Sequence, residues 1–477
     1  MNILAIDQGT SSTKALVVDE HGVVLSEASV DVTPTTRGHD EVEHDANALL
    51  ASIVTAGRQA LALASVDVAA VGLANQGETV VAWDPLTGEA CSPAIVWQDR
   101  RATVVTDQLA SHASRLFELT GLPLDPYFTA PKLRWLADRA PEGAIVGGID
   151  AWLNLQLCGQ IITDAATASR SGLLDLDRRQ WSSEVVGLYG LDETQLPQVV
   201  DCAGRLGTTS VFGPELPLTA LCVDQQAALV GENCLRSGEA KCTYGTGAFL
   251  LVATGTLAAR SRHGLSSSVA YQFSNEAGYC LDGQVYTAGS AIQWLIKLGL
   301  LESASQLDDL VTQALPSATP VCVPAFAGLG APQWEPRGTA HFEGITLSTH
   351  APELVASVVE GIAAQVAFLV QGAEADLGTP LSILRVDGGL THSATLMQMQ
   401  ADLLQIPVEV FPSPDATALG IAALARHGLH PETTFEPFRL GRTRLYEPRM
   451  SESEANSRLD RFTAAAQRVV AAATGER

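Results

Sequence analysis

Between two apolar runs near the N-terminus stands the polar turn Asp7-Gln8-Gly9-Thr10-Ser11-Ser12-Thr13. Hydroxyls and a glycine in a tight strand-to-strand turn present donors that can surround phosphate oxygens, although any hairpin turn is polar. Asp7 closes the first strand. A carboxylate beside an anion-sized nest requires a divalent cation between them, so Asp7 reads as a Mg²⁺ anchor, usually through water. Lys14 adds a cation just past the turn. A second such turn, Gly245-Thr246-Gly247, interrupts the apolar run 240–255, and a third glycine site, Gly388-Gly389, follows a strand at 383–386. Paired glycines let a backbone approach a nucleotide closely, and they also occur in ordinary strand-to-helix turns. Asp224 follows the apolar strand 218–223 and opens a helix, which makes it either an N-cap or a reactive carboxylate aimed out of a strand end.

Such groups can act together only if strand ends converge. The order over residues 2–74 is hairpin (2–19), strand (22–25), helix (47–64) and an almost wholly apolar strand (66–74), which predicts an α/β sheet covered on both faces. The last strand delivers Asn75-Gln76-Gly77-Glu78 at its C-terminal end, where open α/β sheets bind ligands. In the second half a strand at 279–281 precedes a helix opening at Gly289. Helices at 353–369, 394–404 and 454–473 complete the pattern, the last with Leu459, Phe462, Ala466 and Val469 on one face. The two glycine hairpins suggest two halves meeting near 233–238. Residues 149–171, with Asp164 and Ala168-Ser169-Arg170, offer no chemistry to this reading.

With 477 residues, 46% of them hydrophobic, the chain is long enough for two domains of roughly 200 to 250 residues. A formal charge of −24 argues against a nucleic-acid or acidic-membrane partner. An anionic nucleotide feels the same field, so local loops, helix N-termini and metal must hold it. Eight scattered cysteines without a Cys-x-x-Cys pair read as reduced thiols in a cytoplasmic protein. No leader pattern and no run of about 18 apolar residues suggests export or membrane insertion.

Nine motifs follow one another in a recognisable order. They are Asp7-Gln-Gly-Thr-Ser-Ser, Asn75-Gln-Gly-Glu-Thr, Ala94-Ile-Val-Trp-Gln-Asp-Arg-Arg, Asp125-Pro-Tyr-Phe-Thr, Asp224-Gln-Gln-Ala-Ala, Thr243-Tyr-Gly-Thr-Gly-Ala-Phe, Gly328-Leu-Gly-Ala-Pro-Gln-Trp, Phe342-Glu-Gly-Ile and Arg385-Val-Asp-Gly-Gly. Over almost the whole chain they resemble the superfamily of actin, heat-shock chaperone ATPases and sugar kinases. Within it the match is to the FGGY carbohydrate kinases, nearest to the glycerol kinases. The resemblance implies two α/β domains of the actin-like, ribonuclease H-like ATPase fold around a central cleft. An N-terminal FGGY domain (1–233) would hold the acceptor site and first phosphate turn, a C-terminal FGGY domain (234–450) the nucleotide, and a packing helix would close the chain (451–477).

It further implies transfer of the γ-phosphate of ATP, with Mg²⁺, to a primary hydroxyl of a small polyol or sugar, in a homodimer or homotetramer. Asp224 would orient the attacking hydroxyl and accept its proton, and Thr10, Ser11, Ser12 and Lys14 would hold the β- and γ-phosphates. Thr246, Gly289, Gln293, Gly388 and Gly389 would line the nucleotide site, with Ser393 where the family carries an Asn near adenine. Gln76, Glu78, Trp97, Tyr127, Asp224, Gln225 and Phe249 would form the acceptor pocket. Glycerol kinases read Asn-Gln-Arg-Glu-Thr where this chain has Gly77, and that Arg binds glycerol hydroxyls in the family. The change predicts a longer polyol or ketose. A xylulokinase-like pentulose kinase is the alternative, although that group carries Gln-Met-His-Gly in place of Gln76-Gly77-Glu78-Thr79. An actin-like or chaperone-like ATPase without a small acceptor would have no use for Asp224-Gln225 beside Glu78, Trp97 and Tyr127.

Overall fold

Ile3–Gln8 (β1) and Ser12–Val18 (β2) pair antiparallel, Gln8 opposite Thr13, and Val24–Asp31 (β3) extends the hairpin outward. The coordinates are a computed structural model that describes residues 1–38, 41–274, 276–441 and 444–475. Helix Ala46–Ala64 (α1) buries Leu49, Ile53, Ala56 and Ala60 at helical spacing, and Asp45 caps its start by accepting from the Asn47 N–H. Ala70–Asn75 (β4) then lies parallel to β1. It begins later than its hydropathy suggests, because Val66 is exposed and precedes the pairing. Ala203–Thr209 (β5) and Leu216–Val223 (β6) complete a six-stranded sheet in the order β5-β6-β4-β1-β2-β3.

The register of the three parallel strands positions the chemistry. Gln8 stands opposite Asn75, and Asn75 opposite Val223, so β1, β4 and β6 end level with one another. Their continuations, the first turn, Gln76-Gly77-Glu78 and Asp224, therefore emerge at one edge. Asp224–Gly231 (α2) starts there at once. Between β4 and β5 the chain inserts residues 76–202, whose strands Val80–Trp83, Ala94–Ile95 and Ile145–Gly148 form a five-stranded sheet with Thr35–Arg37 and Glu41–His44.

The second half repeats the plan. Ala240–Tyr244 (β7) and Ala248–Gly255 (β8) form the glycine hairpin, followed by Ser266–Phe273 (β9) and Glu276–Val285 (β10). Gly289–Lys297 (α3) and the long Ala351–Leu377 (α4) precede Leu384–Asp387 (β11). Ala394–Leu404 (α5), Val408–Val410 (β12), Ala416–Leu429 (α6), Arg444–Tyr446 (β13) and Glu452–Thr474 (α7) follow. The expected closing helix is α7, and residues 476–477 lie outside the described residues.

The seven strands run β9-β10-β8-β7-β11-β12-β13. Three antiparallel strands next to two parallel ones, β10-β8-β7-β11-β12, match β3-β2-β1-β4-β6, so each half carries the ribonuclease H-like arrangement. α4 has the length and composition of a membrane span, but Val358, Val359, Ile362 and Val366 are wholly buried, and it forms the core of the second half.

Helix α6 does not stay with the strands that precede it. It packs beneath β1, β4 and β6, where Ala418, Ile421, Ala422 and Ala425 join Ile3, Ala5 and Ala70 in one apolar cluster. It also crosses α2 backbone to backbone. A Cβ on Gly420 would stand 1.8 Å from the Ala227 carbonyl oxygen, and one on Gly231 would stand 2.0 Å from that of Ala416. Neither helix can withdraw without opening the sheet above it. Gly420→Ala gains about 1 kcal/mol of helix propensity but drives a methyl into a backbone that cannot give way, so a net loss of about 1–3 kcal/mol or more is expected in urea unfolding.

Candidate active site

A cavity of about 420 Å³ opens between the two sheets, and both glycine turns reach it: Thr10 and Ser11 from β1–β2, Gly245 and Thr246 from β7–β8. Asp224 and Gln225, at the start of α2, line the same space. The first turn is closed by the Gly9 N–H donating to the Ser12 carbonyl at 3.0 Å, the second by the Gly245 N–H donating to Gly247 at 2.9 Å. Gly289 belongs to the second turn's support: its N–H donates to the Gly245 carbonyl at 3.0 Å, and a Cβ there would lie 2.6 Å from that oxygen. Gly388, at φ 90°, leaves no room for a Cβ, which would sit 2.5 Å from the Tyr244 carbonyl oxygen. Gly389 has open space on its Cβ side.

Carboxylates gather where the strand ends meet. Burial and the nearby Asp224 carboxylate push Asp7 up to about 7, against the pull of Lys14, with Asp415 and Asp387 adding to the rise. Burial likewise pushes Asp224 up to about 6, opposed by the Lys241 ammonium and by the Gln225 N–H, which donates to its Oδ1 at 2.7 Å. Asp387 is raised chiefly by burial, and its Oδ1 is buried with no hydrogen-bond donor. An all-oxygen set of carboxyls raised mainly by burial, one of them with an orphaned oxygen, fits a hard divalent cation such as Mg²⁺.

The acceptor side comes from the 76–202 insertion. Glu78, at φ 54°, is buried and held by Arg170, whose Nε donates to its Oε1 at 2.8 Å, while Arg170 Nη1 reaches Asp282 Oδ2 of β10 at 2.9 Å. Burial pushes Glu78 up to about 7 despite that guanidinium. Trp97 meets Tyr127 and Phe249 edge-on at 5.7 and 5.9 Å, a wall suited to C–H faces. The Trp97 indole N–H donates to Thr10 Oγ1 at 2.9 Å and so ties this wall to the first phosphate turn. Lys132, fully buried, donates to the carbonyls of Pro126, Tyr127 and Phe128 and fixes the loop that presents Tyr127.

Thr10, Ser11, Glu78, Trp97, Tyr127, Asp224, Gln225, Thr246 and Phe249 are thus brought together. Nine expected residues lie outside these walls: Asp7, Gly289, Gly388 and Gly389, already placed, and five more. Ser12 opens β2 opposite Asp31, and Lys14 donates to Asp415 Oδ1 at 2.8 Å. Gln76 is buried behind the wall, accepting from Thr79 Oγ1 at 3.1 Å. Gln293 is exposed on α3. Ser393 caps α5, accepting from the Leu396 N–H and donating to Asp308 Oδ1 at 2.5 Å, so its hydroxyl is already engaged.

Arg170 and Asp282 line the cavity and Lys241 lies near Asp224, and the sequence reading passes over all three. Their signal was available: each is a charge in a stretch of otherwise small or apolar residues, which demands a buried partner. Asp164 caps the short helix Ala165–Ser169 and thereby delivers Arg170 at its end.

Two ribonuclease H-like halves closing on a shared cavity, with a carboxylate facing two phosphate-type turns, define a phosphotransferase with an alcohol acceptor. Residues 2–231 match the N-terminal domain, and residues 240–429 the C-terminal domain, of the FGGY family of carbohydrate kinases. The chain belongs to that family. It is 40% identical to a glycerol kinase of Alkalilimnicola ehrlichii and 37% identical to one of Acinetobacter baylyi, each alignment covering 98% of both chains. Among solved structures it is similar to Plasmodium falciparum glycerol kinase with ADP (29% identity, TM-score 0.90, 98% of each chain). It also shares its fold with a ligand-bound xylulose kinase from Lactobacillus acidophilus (19% identity, TM-score 0.85, 100% of this chain and 98% of that one).

Arg170→Met leaves Glu78 and Asp282 buried without their cation. The expected result is a loss of about 3–5 kcal/mol in urea unfolding, together with a raised KM for the acceptor at unchanged KM for ATP.

Proposed function

We propose that the chain transfers the γ-phosphate of ATP, as its Mg²⁺ complex, to a primary hydroxyl of a neutral polyol or ketose longer than glycerol. The observation that carries the reading is the single cavity joining Asp224 to Thr10, Ser11 and Thr246. Residues 1–233 supply the acceptor pocket and first phosphate turn, and residues 234–450 most of the nucleotide site. Asp224 holds the attacking hydroxyl in line and takes its proton as the bond to phosphorus forms. The two turns cradle the phosphates, with Ser12 and Lys14 supporting the first turn from behind. In-line transfer depends mainly on positioning and charge, so a carboxylate of only moderately raised basicity suffices. Mg²⁺ near Asp7, Asp224 and Asp387 would neutralise charge developing on the β- and γ-oxygens. Eight unpaired cysteines suit a cytoplasmic setting.

Neutrality of the acceptor follows from charge. Glu78, Asp224 and Asp282 face the cavity against one guanidinium already shared by two of them, so an acid sugar would be repelled. Length follows from position 77. A Cβ there would lie 3.0 Å from Val223 Cγ2, so Val223 fills part of the space left without a side chain, and position 77 itself offers no side-chain donor to an acceptor hydroxyl. A panel of C3 to C6 polyols and ketoses is expected to place glycerol at least about tenfold below the best acceptor in kcat/KM, the size of a lost buried hydrogen bond. Glycerol at the top would overturn this specificity.

Asp224→Asn is expected to lower kcat by about 10² to 10⁴, the range for a positioned base, with ATP affinity retained in equilibrium binding. The base must be ionised to act. Since its carboxyl titrates at about 6 and a bound cation lowers that further, the acid limb of kcat/KM is expected at or below pH 6, falling about tenfold per unit beneath it. A limb above pH 7 would remove Asp224 from the role.

A further inference from the structure

Lys241 is wholly buried in β7, yet no part of the reaction described above uses it. Its ammonium donates to Gln225 Oε1 at 2.6 Å and to Thr243 Oγ1 at 2.8 Å. Gln225 opens α2 in the first half of the chain, Lys241 and Thr243 lie on β7 in the second, and the contact therefore spans the cleft. Gln225 lines the cavity beside Asp224, and both its backbone N–H and its side chain act as hydrogen-bond partners of that carboxylate.

A primary amide has two ends of nearly equal size and opposite character: an oxygen that only accepts and an NH₂ that only donates. Nothing in its shape decides which end faces the cavity. An ammonium has three donors and no lone pair, so it can take only the oxygen. With Oε1 held by Lys241, the Gln225 NH₂ must face Asp224 and the acceptor. Reversed, the amide would set its oxygen against the Asp224 carboxylate, two acceptors with no hydrogen between them. The same rule acts on the other side. Thr243 accepts from Lys241, so its own hydroxyl hydrogen is free for Asp387, the carboxyl that it neighbours across the β7–β11 pair.

We infer that Lys241 is a positioning residue for phosphoryl transfer: it fixes the direction of the Gln225 amide, which in turn holds the Asp224 carboxylate toward the attacking hydroxyl and presents a donor to an acceptor oxygen. The inference deepens the kinase reading and rests on it. It also makes Gln225 discriminate, because an acceptor atom meeting its NH₂ must offer a lone pair, as a hydroxyl or ketone oxygen does and a ring or chain methylene does not.

The test is a double-mutant cycle in the full chain with Lys241→Met and Gln225→Leu, with Lys241→Arg as the variant that keeps a donor-only cation. Rates are read with each member of the C3 to C6 panel that the unaltered chain phosphorylates, and also as slow MgATP hydrolysis by water alone. Expected are a fall in kcat of about 30-fold or more for either single change, a several-fold rise in acceptor KM, ATP affinity within about twofold, and a double variant no worse than the worse single. Lys241→Arg should retain most of kcat. Losses that multiply in the double variant, or that fall equally on ATP affinity, would overturn the inference and leave Lys241 a buried counter-charge. If Lys241→Met does not fold, Lys241→Gln takes its place in the cycle with the same two outcomes. If no panel member is phosphorylated by the unaltered chain, the kinase reading fails by itself, and the water-only rate still decides whether Lys241 and Gln225 act as one unit.

Discussion

Like charges brought close together in a dry site must be held apart or neutralised, and this cleft concentrates them. Asp7, Asp224 and Asp387 each end or follow a strand, Asp415 stands just before α6, and Glu78 and Asp282 face the acceptor side. Three cations make this tolerable: Lys14 beside Asp415, Arg170 between Glu78 and Asp282, and Lys241 within reach of Asp224 and Asp387. The compensation is incomplete at both ends: Asp7 remains at about 7 near Asp224, and Glu78 at about 7 although one guanidinium serves both it and Asp282. At the phosphate end a bound divalent cation would relieve that charge, so the imbalance that costs stability without it favours its binding.

Geometry and charge have a common origin in the duplicated sheet. Level ends of β1, β4 and β6 put three functional segments on one edge, and the parallel β7–β11 pair does the same for Thr243 and Asp387. The insertion after β4 supplies much of one cavity wall, since Glu78, Trp97, Tyr127 and Arg170 all come from it. The indole bond from Trp97 to Thr10 then joins acceptor wall and phosphate turn within one rigid unit. Thr246, Phe249 and Asp282 line the same cavity from the other half, so its walls are shared between the two.

What could be read from the sequence was local. Both glycine hairpins, the strand into Asp224, α1 and α5 follow from periodicity and turn chemistry, and the motif order carried the family and most of the cavity walls. What escaped depended on distant partners. Arg170 meets Glu78 from 92 positions away and so looked like nothing in particular, and Lys14 meets Asp415 from 401, a partner that its own neighbourhood does not announce. Ser393 looked available until Asp308, 85 positions earlier, took its hydroxyl. Strand β9 was passed over because Ser266, Ser267 and Ser268 give no apolar alternation, although all three are buried. The tail of α4, from 370 to 377, was missed because Glu374 and Asp376 break the apolar stripe in order to bind loop backbone at Leu381 and Arg262.

The placement of α6 beneath the first sheet bears on how the chain is made. Ile3, Ala5 and Ala70 are made long before the helix that covers their underside, which spans Ala416–Leu429. The first unit cannot complete its interior while it is being translated and must carry bare aliphatic surface through most of elongation, a state that invites chaperone capture and aggregation. A chain cut before residue 416 would not yield a well-formed N-terminal half, however natural the midpoint looks as a boundary.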